Sequence, residues 1–479
     1  MKINREEFRD KLYACWIGKN IGGTLGAPYE GQRVMHDIKG FTTKPGEPLP
    51  NDDLDLQLLW LYTIEKHGIN KFSQNMLADY WIDWVTPHWN EYGIAKANLK
   101  LGLLPPLSGE VENERWQTSN GAWIRSEIWA ALTPGCSDLA MKYASMDAMV
   151  DHGLGEGTYA EMFTAALQSA AYFESDIRKL LDIALAKIPS DSRLAKAVKL
   201  VISCYENGES YIEAREKLVE QSKDIGWFQA PANVGFVVIG LLYGEGDFKK
   251  SCLYAINCGD DTDCTGATVG ATMGIIGGTK AIPEDWREHI GDGINTICVN
   301  GQFSFYLPKT CTELTERIMK QIPEIMRFNE IDLEFTDGET EADDEFMKKH
   351  NSKTADDFLT FERYSYEVLH NTHIRARVEI LDNPKISANE TRKVRLSFYN
   401  NFDDAKRISL RLILPEGWSC SDYAKTICLE MEYNQSLKGA QTEFTVCAGE
   451  KTDAINRLYM EATSPCISQP LLVPITFIG

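Results

Sequence analysis

Two short acidic clusters stand far apart in this sequence, and each directly precedes an apolar run with helical spacing. The clusters are Asn51-Asp52-Asp53 and Asp260-Asp261-Thr262-Asp263. Carboxylate and amide oxygens are the ligands that hard divalent cations prefer, and two helix N-termini can bring such groups together in space. The two clusters therefore predict a metal-binding centre built from distant parts of the chain.

Helix capping is an alternative explanation for the first cluster. Leu54, Leu58 and Leu61 follow it at helical spacing. Asn51 is accordingly a candidate N-cap, and acids are favoured in a first helical turn because of the helix dipole. Capping does not account for the second cluster, because its closely spaced carboxylates repel one another unless protons, solvent or cations neutralise them.

Glycine recurs at every fourth position after the second cluster, at Gly266, Gly270, Gly274 and Gly278. On a helix these residues form one bare ridge. Each glycine costs up to about 1 kcal/mol of helix propensity relative to alanine, so we expect close packing against another backbone as the compensation. The segment is too short and too polar at its ends for a membrane span.

A third segment, from Gly22 to Gly31, is rich in glycine and carries a single acid, Glu30. It lacks the Gly-Lys-Ser/Thr ending of a phosphate-binding loop. It does not match the fingerprint that follows a strand in dinucleotide-binding proteins either. By itself the segment assigns no ligand.

In this order the segments resemble the ADP-ribosylglycohydrolase family, which includes dinitrogenase reductase-activating glycohydrolase and the J1 crystallins, over about residues 8–325. Gly22–Glu30 is similar to the family's Gly-Asp-x-x-Gly-x-x-x-Glu, Asn51–Asp53 to its Thr/Ser-Asp-Asp, and Gly259–Cys264 to its Gly-Gly-Asp-x-Asp-Thr. Asn120–Arg125 looks like its Asn-Gly-x-x-x-Arg segment, and Asp151–Gly153 like its His-Gly segment. The concurrence of all five makes the resemblance specific.

The resemblance implies an all-helical domain that holds two Mg²⁺ ions, with Mn²⁺ as the alternative, over the ribose of a small-molecule or protein-linked ADP-ribosyl substrate. The implied reaction is hydrolysis of the glycosidic bond at the ribose, in which Glu30 or Asp261 positions and deprotonates water. The metal positions that it implies are Asn51, Asp52, Asp53, Asp261, Asp263 and Cys264. The substrate-binding positions are Asn120, Arg125, Asp151 and His152.

Two of the substrate-binding assignments have alternatives. Arg125 can clamp a phosphate through its planar guanidinium, or it can pair with Glu127 or another buried acid. His152 is equally consistent with a packing role and with a substrate contact. The sequence shows no Ser/His/Asp arrangement for nucleophilic catalysis.

Four positions depart from the family pattern. Cys264 replaces a threonine, and a thiolate is a soft donor that suits Mg²⁺ poorly, so one metal loses a ligand, takes a water or is replaced by manganese or zinc. Asn51 replaces Thr or Ser, a mild change because an amide oxygen also binds hard cations. Gly23 stands where the family has Asp, and Asp260 where it has Gly.

The length of 479 residues exceeds one ordinary core and predicts two domains. Residues 1–328 carry glycine-bounded helical patterns. The stretch 329–358 is predicted as an acidic, solvated linker, since Glu330 to Glu345 contains no Lys or Arg. From 359 to 479 the apolar residues alternate, which predicts an immunoglobulin-like β-sandwich acting as an accessory domain.

The formal charge of −21 and a pI near 4.9 argue against nucleic-acid and anionic-membrane partners. An anionic ADP-ribosyl ligand would then need a local cationic site. The 12 cysteines form no Cys-x-x-Cys pair and no secretion signal is evident, so we expect a cytoplasmic protein with reduced thiols. The sequence predicts no oligomeric state.

Glycoside hydrolysis is the first functional hypothesis, and two others stay open. Paired aspartates with two metals also suit another hydrolase such as a phosphoesterase. A catalytically silent binding or structural protein is the third, because the family includes crystallins and Cys264 alters a metal position.

Overall fold

The computed structural model describes residues 1–341, 343–359, 363–368, 373–400, 405–430, 440–465 and 467–479. They divide into two compact units, one of residues 1–96 and 108–359 and the other of residues 97–107 and 360–479. None of the helices in the described part of the chain combines the length and apolar character that a bilayer crossing requires.

The first part of the chain is built from helices, apart from one short pair of strands. The helices are α1 Arg5–Gly26, α2 Asp52–His67, α3 Gln74–Trp84, α4 Asn90–Lys100, α5 Leu107–Glu110, α6 Glu127–Leu132, α7 Ser137–His152, α8 Glu156–Ala171, α9 Ile177–Leu185, α10 Arg193–Glu206, α11 Tyr211–Gln221, α12 Ala230–Tyr243, α13 Phe248–Asn257, α14 Thr262–Gly277, α15 Glu284–Ile290, α16 Cys311–Phe328 and α17 Asp344–His350. The paired strands are β1 Lys2–Asn4 and β2 Glu334–Thr336, which run parallel. This architecture confirms the predicted helical domain.

The apolar pattern of each helix matches its place in the helical unit. Helix α12 is apolar on nearly all sides, α14 is rich in glycine and small residues, and both are almost completely buried. Helices α9, α10 and α16 instead bury one face and expose the other. A helix that is apolar all round belongs inside a core, whereas an amphipathic helix covers it.

The predicted glycine ridge lies against α1, and the two helices run antiparallel in direct backbone contact. A Cβ atom at Gly270 would overlap the carbonyl oxygen of Gly18, and one at Gly22 would overlap that of Gly266. Side chains at these positions would force the backbones apart. The ridge therefore brings the C-terminal end of α1 next to the N-terminal end of α14.

The C-terminal region forms two antiparallel sheets. Its strands are β3 Ser365–Val368, β4 Ile374–Ile380, β5 Thr391–Asn400, β6 Lys406–Ile413, β7 Ser419–Cys420, β8 Thr426–Leu429, β9 Ala440–Cys447, β10 Ile455–Thr463 and β11 Leu471–Ile478. Among described residues the sheet orders are β11-β10-β6-β8 and β3-β4-β5-β9-β7. Alternate residues such as Ile374, Ala376 and Val378 are buried, as in a sandwich with an apolar interior. The predicted β-sandwich is confirmed.

The acidic stretch 329–358 differs from the predicted solvated linker, because it folds with the helical unit. Strand β2 pairs with β1 at the start of the chain. The buried Lys187 donates to the carbonyl oxygens of Asn351 at 2.9 Å and Lys353 at 2.6 Å. These partners are distant in sequence, so the local charge pattern could not reveal them.

Candidate metal centre

The ends of three helices, α1, α2 and α14, converge in the helical unit. Helix α1 continues through a short 3-10 turn, Ala27–Tyr29, to Glu30. Helix α14 begins immediately after Asp261, and its contact with α1 brings these two ends together. A hydrogen bond links the N-terminal end of α2 to α14, since the Cys264 thiol donates to Asp53 Oδ1 at 3.2 Å. The two acidic clusters therefore meet, as predicted, and Glu30 of the glycine-rich segment lies with them.

The converging side chains form two groups that share Asp263. Ligand atoms of Glu30, Asp261 and Asp263 lie within 4.8 Å of one another, and so do those of Asp53, Asp263 and Cys264. Asp53 Oδ2 and Asp263 Oδ1 are buried without a hydrogen-bond partner among the described residues. Buried carboxylate oxygens are costly unless a donor or a cation compensates them. The donor set fits divalent cations.

Mutual repulsion and burial raise the pKa values within the cluster. Asp263, followed by burial, raises the pKa of Glu30 to about 8. Burial, followed by Asp263, raises the pKa of Asp52 to about 7. Burial is also the main reason that the pKa values of Asp53 and Asp261 lie well above their usual range. Two divalent cations would offset this repulsion and favour the ionised forms.

Asn51 caps α2, since its Oδ1 accepts a hydrogen bond from the Asp53 amide at 2.7 Å. A Cβ atom at position 23 would overlap the Asn51 Nδ2. Gly23 thus makes room for the Asn51 amide, and these two departures from the family pattern are linked sterically. The additional role of Asn51 as a metal ligand stays a prediction.

Asp260 organises the loops beside the cluster. Its backbone has a φ of 69°. Its Oδ1 accepts a hydrogen bond from the Phe228 amide at 3.1 Å, and its Oδ2 lies 3.5 Å from Arg33 Nε. These contacts account for a carboxylate at this position without assigning it a metal.

Asn120 connects the predicted substrate segment to the cluster. Its Nδ2 donates to Asp261 Oδ2 at 2.6 Å, and its Oδ1 accepts from Trp123 Nε1 at 3.0 Å. Trp123 is fully buried and anchors the amide. Asn120 thereby fixes the orientation of Asp261 at the wall of a cavity that both residues line.

Arg125 lies in a buried ion-pair network. Its Nε donates to Asp147 Oδ1 at 3.0 Å, and its Nη1 and Nη2 donate to Asp151 at 3.0 and 2.8 Å. Burial opposes ionisation of Asp151, but Arg125 and His152 outweigh it and lower the pKa to about 2. The side chain of Arg125 has no exposed surface. The structure therefore does not support substrate binding by Arg125 or Asp151, and Glu127 is not the partner of Arg125.

A Ser/His/Asp arrangement, which the sequence did not reveal, is present beside the cavity. His152 Nε2 lies 3.1 Å from Ser119 Oγ, and His152 Nδ1 lies 3.1 Å from Asp151 Oδ1. The Ser119 hydroxyl donates to the Trp116 carbonyl at 2.5 Å, so its proton points away from the imidazole. A nucleophilic serine would have to donate to the histidine. The fully buried His152 thus supports the cavity wall, which favours its packing role over a substrate contact.

A cavity of about 500 Å³ opens beside the cluster. Glu30, Asp52 and Asp263 line one part of it, and Trp89 and Phe228 also line it. Carboxylates together with aromatic surfaces suit a ligand that combines hydroxyl groups with a flat ring.

Glu91 is a cavity residue that the sequence analysis missed. It is only 7% exposed, and its Oε2 has no partner among the described residues. Burial raises its pKa. Nothing in the local sequence Asn90-Glu91-Tyr92 distinguishes this acid from one on a solvated helix face.

A buried cation supports the cluster from α1. Lys19 Nζ lies 2.9 Å from Glu127 Oε2, and both side chains are essentially unexposed. Gln57 Nε2 joins them by donating to Glu127 Oε2 at 2.9 Å and to the Asp53 carbonyl at 2.7 Å. Burial disfavours the charge on Lys19, but Glu127 and Asp53 outweigh it and raise the pKa.

Residues 4–322 match the family model described as ADP-ribosylglycohydrolase. A solved structure titled "ADP-ribosylglycohydrolase-related protein complex" is 19% identical, with a TM-score of 0.43, and the match covers 67% of this chain and 99% of that chain. A FixG-related protein from Vibrio parahaemolyticus is 15% identical over 22% of this chain and 94% of its own, with a TM-score of 0.18. The yeast GGA1 GAE domain is 11% identical over 24% and 99%, with a TM-score of 0.18. No curated protein matches the chain.

Proposed function

The chain belongs to the ADP-ribosylglycohydrolase family, and we propose that it hydrolyses the glycosidic bond at the ribose of an ADP-ribosyl or related riboside substrate with two divalent cations. The observation that carries the proposal is the pair of ligand groups sharing Asp263, in which buried carboxylate oxygens lack donors. We expect Mg²⁺ as the physiological ion, with Mn²⁺ as a substitute. When bound, the cations supply positive charge and open positions for vicinal ribose hydroxyls.

Two carboxylates are placed to handle the attacking water. Glu30 is the exposed member of the cluster and lines the cavity, so substrate and water can reach it. Asp261 is buried and is oriented by Asn120. One of the two positions water and takes its proton while the bond to the leaving group breaks, and a neighbouring carboxylate stabilises the positive character that develops on the ribose.

The remaining cavity surface suits the rest of the ligand. Trp89 and Phe228 offer aromatic surface for a flat ring, and the unpaired oxygen of Glu91 can accept a hydrogen bond from a ligand hydroxyl or N–H group. These groups bind and orient the substrate, which lowers the entropic part of the barrier.

The proposal is tested by incubating the protein with a panel of small-molecule and protein-linked ADP-ribosyl compounds. Chromatography measures free ADP-ribose and inorganic phosphate, with and without Mg²⁺ or Mn²⁺. We expect cation-dependent release of free ADP-ribose. Phosphate release without ADP-ribose would indicate a phosphoesterase, and cation and ligand binding without any turnover would indicate a silent relative.

The variant Asp261→Asn should lower turnover by at least about 10²-fold, because it removes a carboxylate that handles water or metal. Asp285→Asn is the matched control, since Asp285 lies on the surface helix α15 and pairs with Lys249. Its turnover should equal that of the parent. Equal loss in both variants, or in neither, would contradict the assignment of the site.

A further inference from the structure

The two ligand groups differ in donor chemistry. One consists of three carboxylates, from Glu30, Asp261 and Asp263, and the other combines Asp53 and Asp263 with the sulfur of Cys264. Hard cations such as Mg²⁺ prefer oxygen, whereas thiolate favours borderline and soft ions such as Zn²⁺. An arrangement of this kind does not offer two equivalent positions.

Resting on the proposed two-cation centre, we propose that the centre holds an unlike pair, with a thiophilic divalent cation such as Zn²⁺ at Asp53, Asp263 and Cys264 and a hard cation such as Mg²⁺ at Glu30, Asp261 and Asp263. Asp263 is the residue common to both positions. The Cys264 sulfur would thus select the thiophilic cation, and the carboxylates of Glu30 and Asp261 would select the hard cation.

The sulfur is part of the centre and is not merely core packing. Its thiol donates to Asp53 Oδ1 at 3.2 Å, and Cys264 lines the cavity. Independently, Asp53 Oδ2 belongs to a fully buried side chain and has no hydrogen-bond partner among the described residues. A buried carboxylate with a free oxygen beside a thiol offers the donors that a mixed oxygen–sulfur cation site needs.

A neighbouring hydroxyl does not replace the sulfur. Helix α14 begins at Thr262, which fixes Cys264 in its first turn. The hydroxyl of Thr265 donates to the Thr262 carbonyl at 3.2 Å and is fully buried. The Thr265 hydroxyl is therefore committed to the helix, and the Cys264 sulfur is left as the third donor beside Asp53 and Asp263.

The test is a spectroscopic titration of the full-length, metal-stripped protein with Co²⁺, which reports thiolate ligation through a near-ultraviolet charge-transfer band. We expect the parent to bind two ions and to show the band for one of them. Cys264→Ser and Cys264→Thr should lose the band while still binding two ions. Their Zn²⁺ affinity, measured by competition with a chelator, should fall at least about tenfold, with Mg²⁺ affinity unchanged or higher.

Cys428→Ser is the matched control, because Cys428 is exposed and would report adventitious binding by a surface thiol. The band should persist in this variant. Two bound ions without a Cys264-dependent band would overturn the unlike pair and leave the proposed function standing. Failure of the parent to bind any cation would overturn both, and circular dichroism of each variant separates loss of ligation from loss of folding.

Discussion

Two carboxylates of the metal centre are positioned by neighbouring amide side chains. Asn120 orients Asp261, and Asn51 caps the helix that carries Asp53. Lys19 contributes positive charge to the same region from α1. Preorganised neighbours of this kind fix ligand geometry before a cation or a substrate arrives.

Lys19→Met should destabilise the protein by about 3–5 kcal/mol, because it leaves the buried Glu127 carboxylate without its cationic partner. Chemical denaturation measures the free energy of unfolding. The control Lys249→Met removes one member of an exposed pair with Asp285 and should change stability by less than about 1 kcal/mol. Equal effects of the two variants would contradict the support that we assign to the Lys19–Glu127 pair.

The clustered aspartates could be predicted from the sequence, whereas Glu91 and the role of Arg125 could not. Motif spacing identified Asp52, Asp53, Asp261 and Asp263, because their types and positions at helix starts fit metal binding. Arg125 has the same side chain whether it clamps a phosphate or pairs with buried acids. Only the positions of Asp147 and Asp151 decide between these roles.

At the scale of elements, the contact between α1 and α14 brings Glu30 close to Asp261 and Asp263. The glycine ridge predicted close packing, but its partner lies at the other end of the helical domain in sequence. Gly18 and Gly22 become recognisable as that partner only in the folded chain. Similarly, the pairing of β2 with β1 could not be read from the acidic composition around β2.

Gly270→Ala should lower stability by about 1–3 kcal/mol or more, because its Cβ would overlap the backbone of Gly18. It should also weaken Mn²⁺ binding, since the N-terminal end of α14 must shift relative to α1. Thermal unfolding and calorimetric titration measure the two effects. Gly40→Ala is the control, because nothing lies within 4 Å of its added Cβ, and it should leave both quantities unchanged.

At the scale of the whole molecule, the buried carboxylates of the site are part of an acidic chain whose formal charge is −21. Folding raises the pKa of Asp52 to about 7 and that of Glu30 to about 8. An acid with a raised pKa binds its proton more tightly in the folded state. Its stabilising contribution is complete below the unfolded pKa, near 4, and is lost as pH rises through the folded pKa.

The melting temperature of the metal-free protein should therefore decrease as pH rises from about 4 to about 8. Saturating Mg²⁺ or Mn²⁺ should oppose this decrease, with its largest effect at the high end of the range, because the ionised carboxylates bind the cations. Differential scanning fluorimetry across pH measures both. Asp52→Asn should flatten the metal-free profile, and a profile insensitive to both the variant and the cation would argue against the assigned electrostatics.

The central claim is the two-cation centre, and anomalous diffraction from crystals grown with excess Mn²⁺ tests it most directly. We expect two anomalous peaks about 3.5–4 Å apart. One should lie among Glu30, Asp261 and Asp263, and the other among Asp53, Asp263 and Cys264. Well-ordered carboxylates with no anomalous peak within coordinating distance would contradict the account.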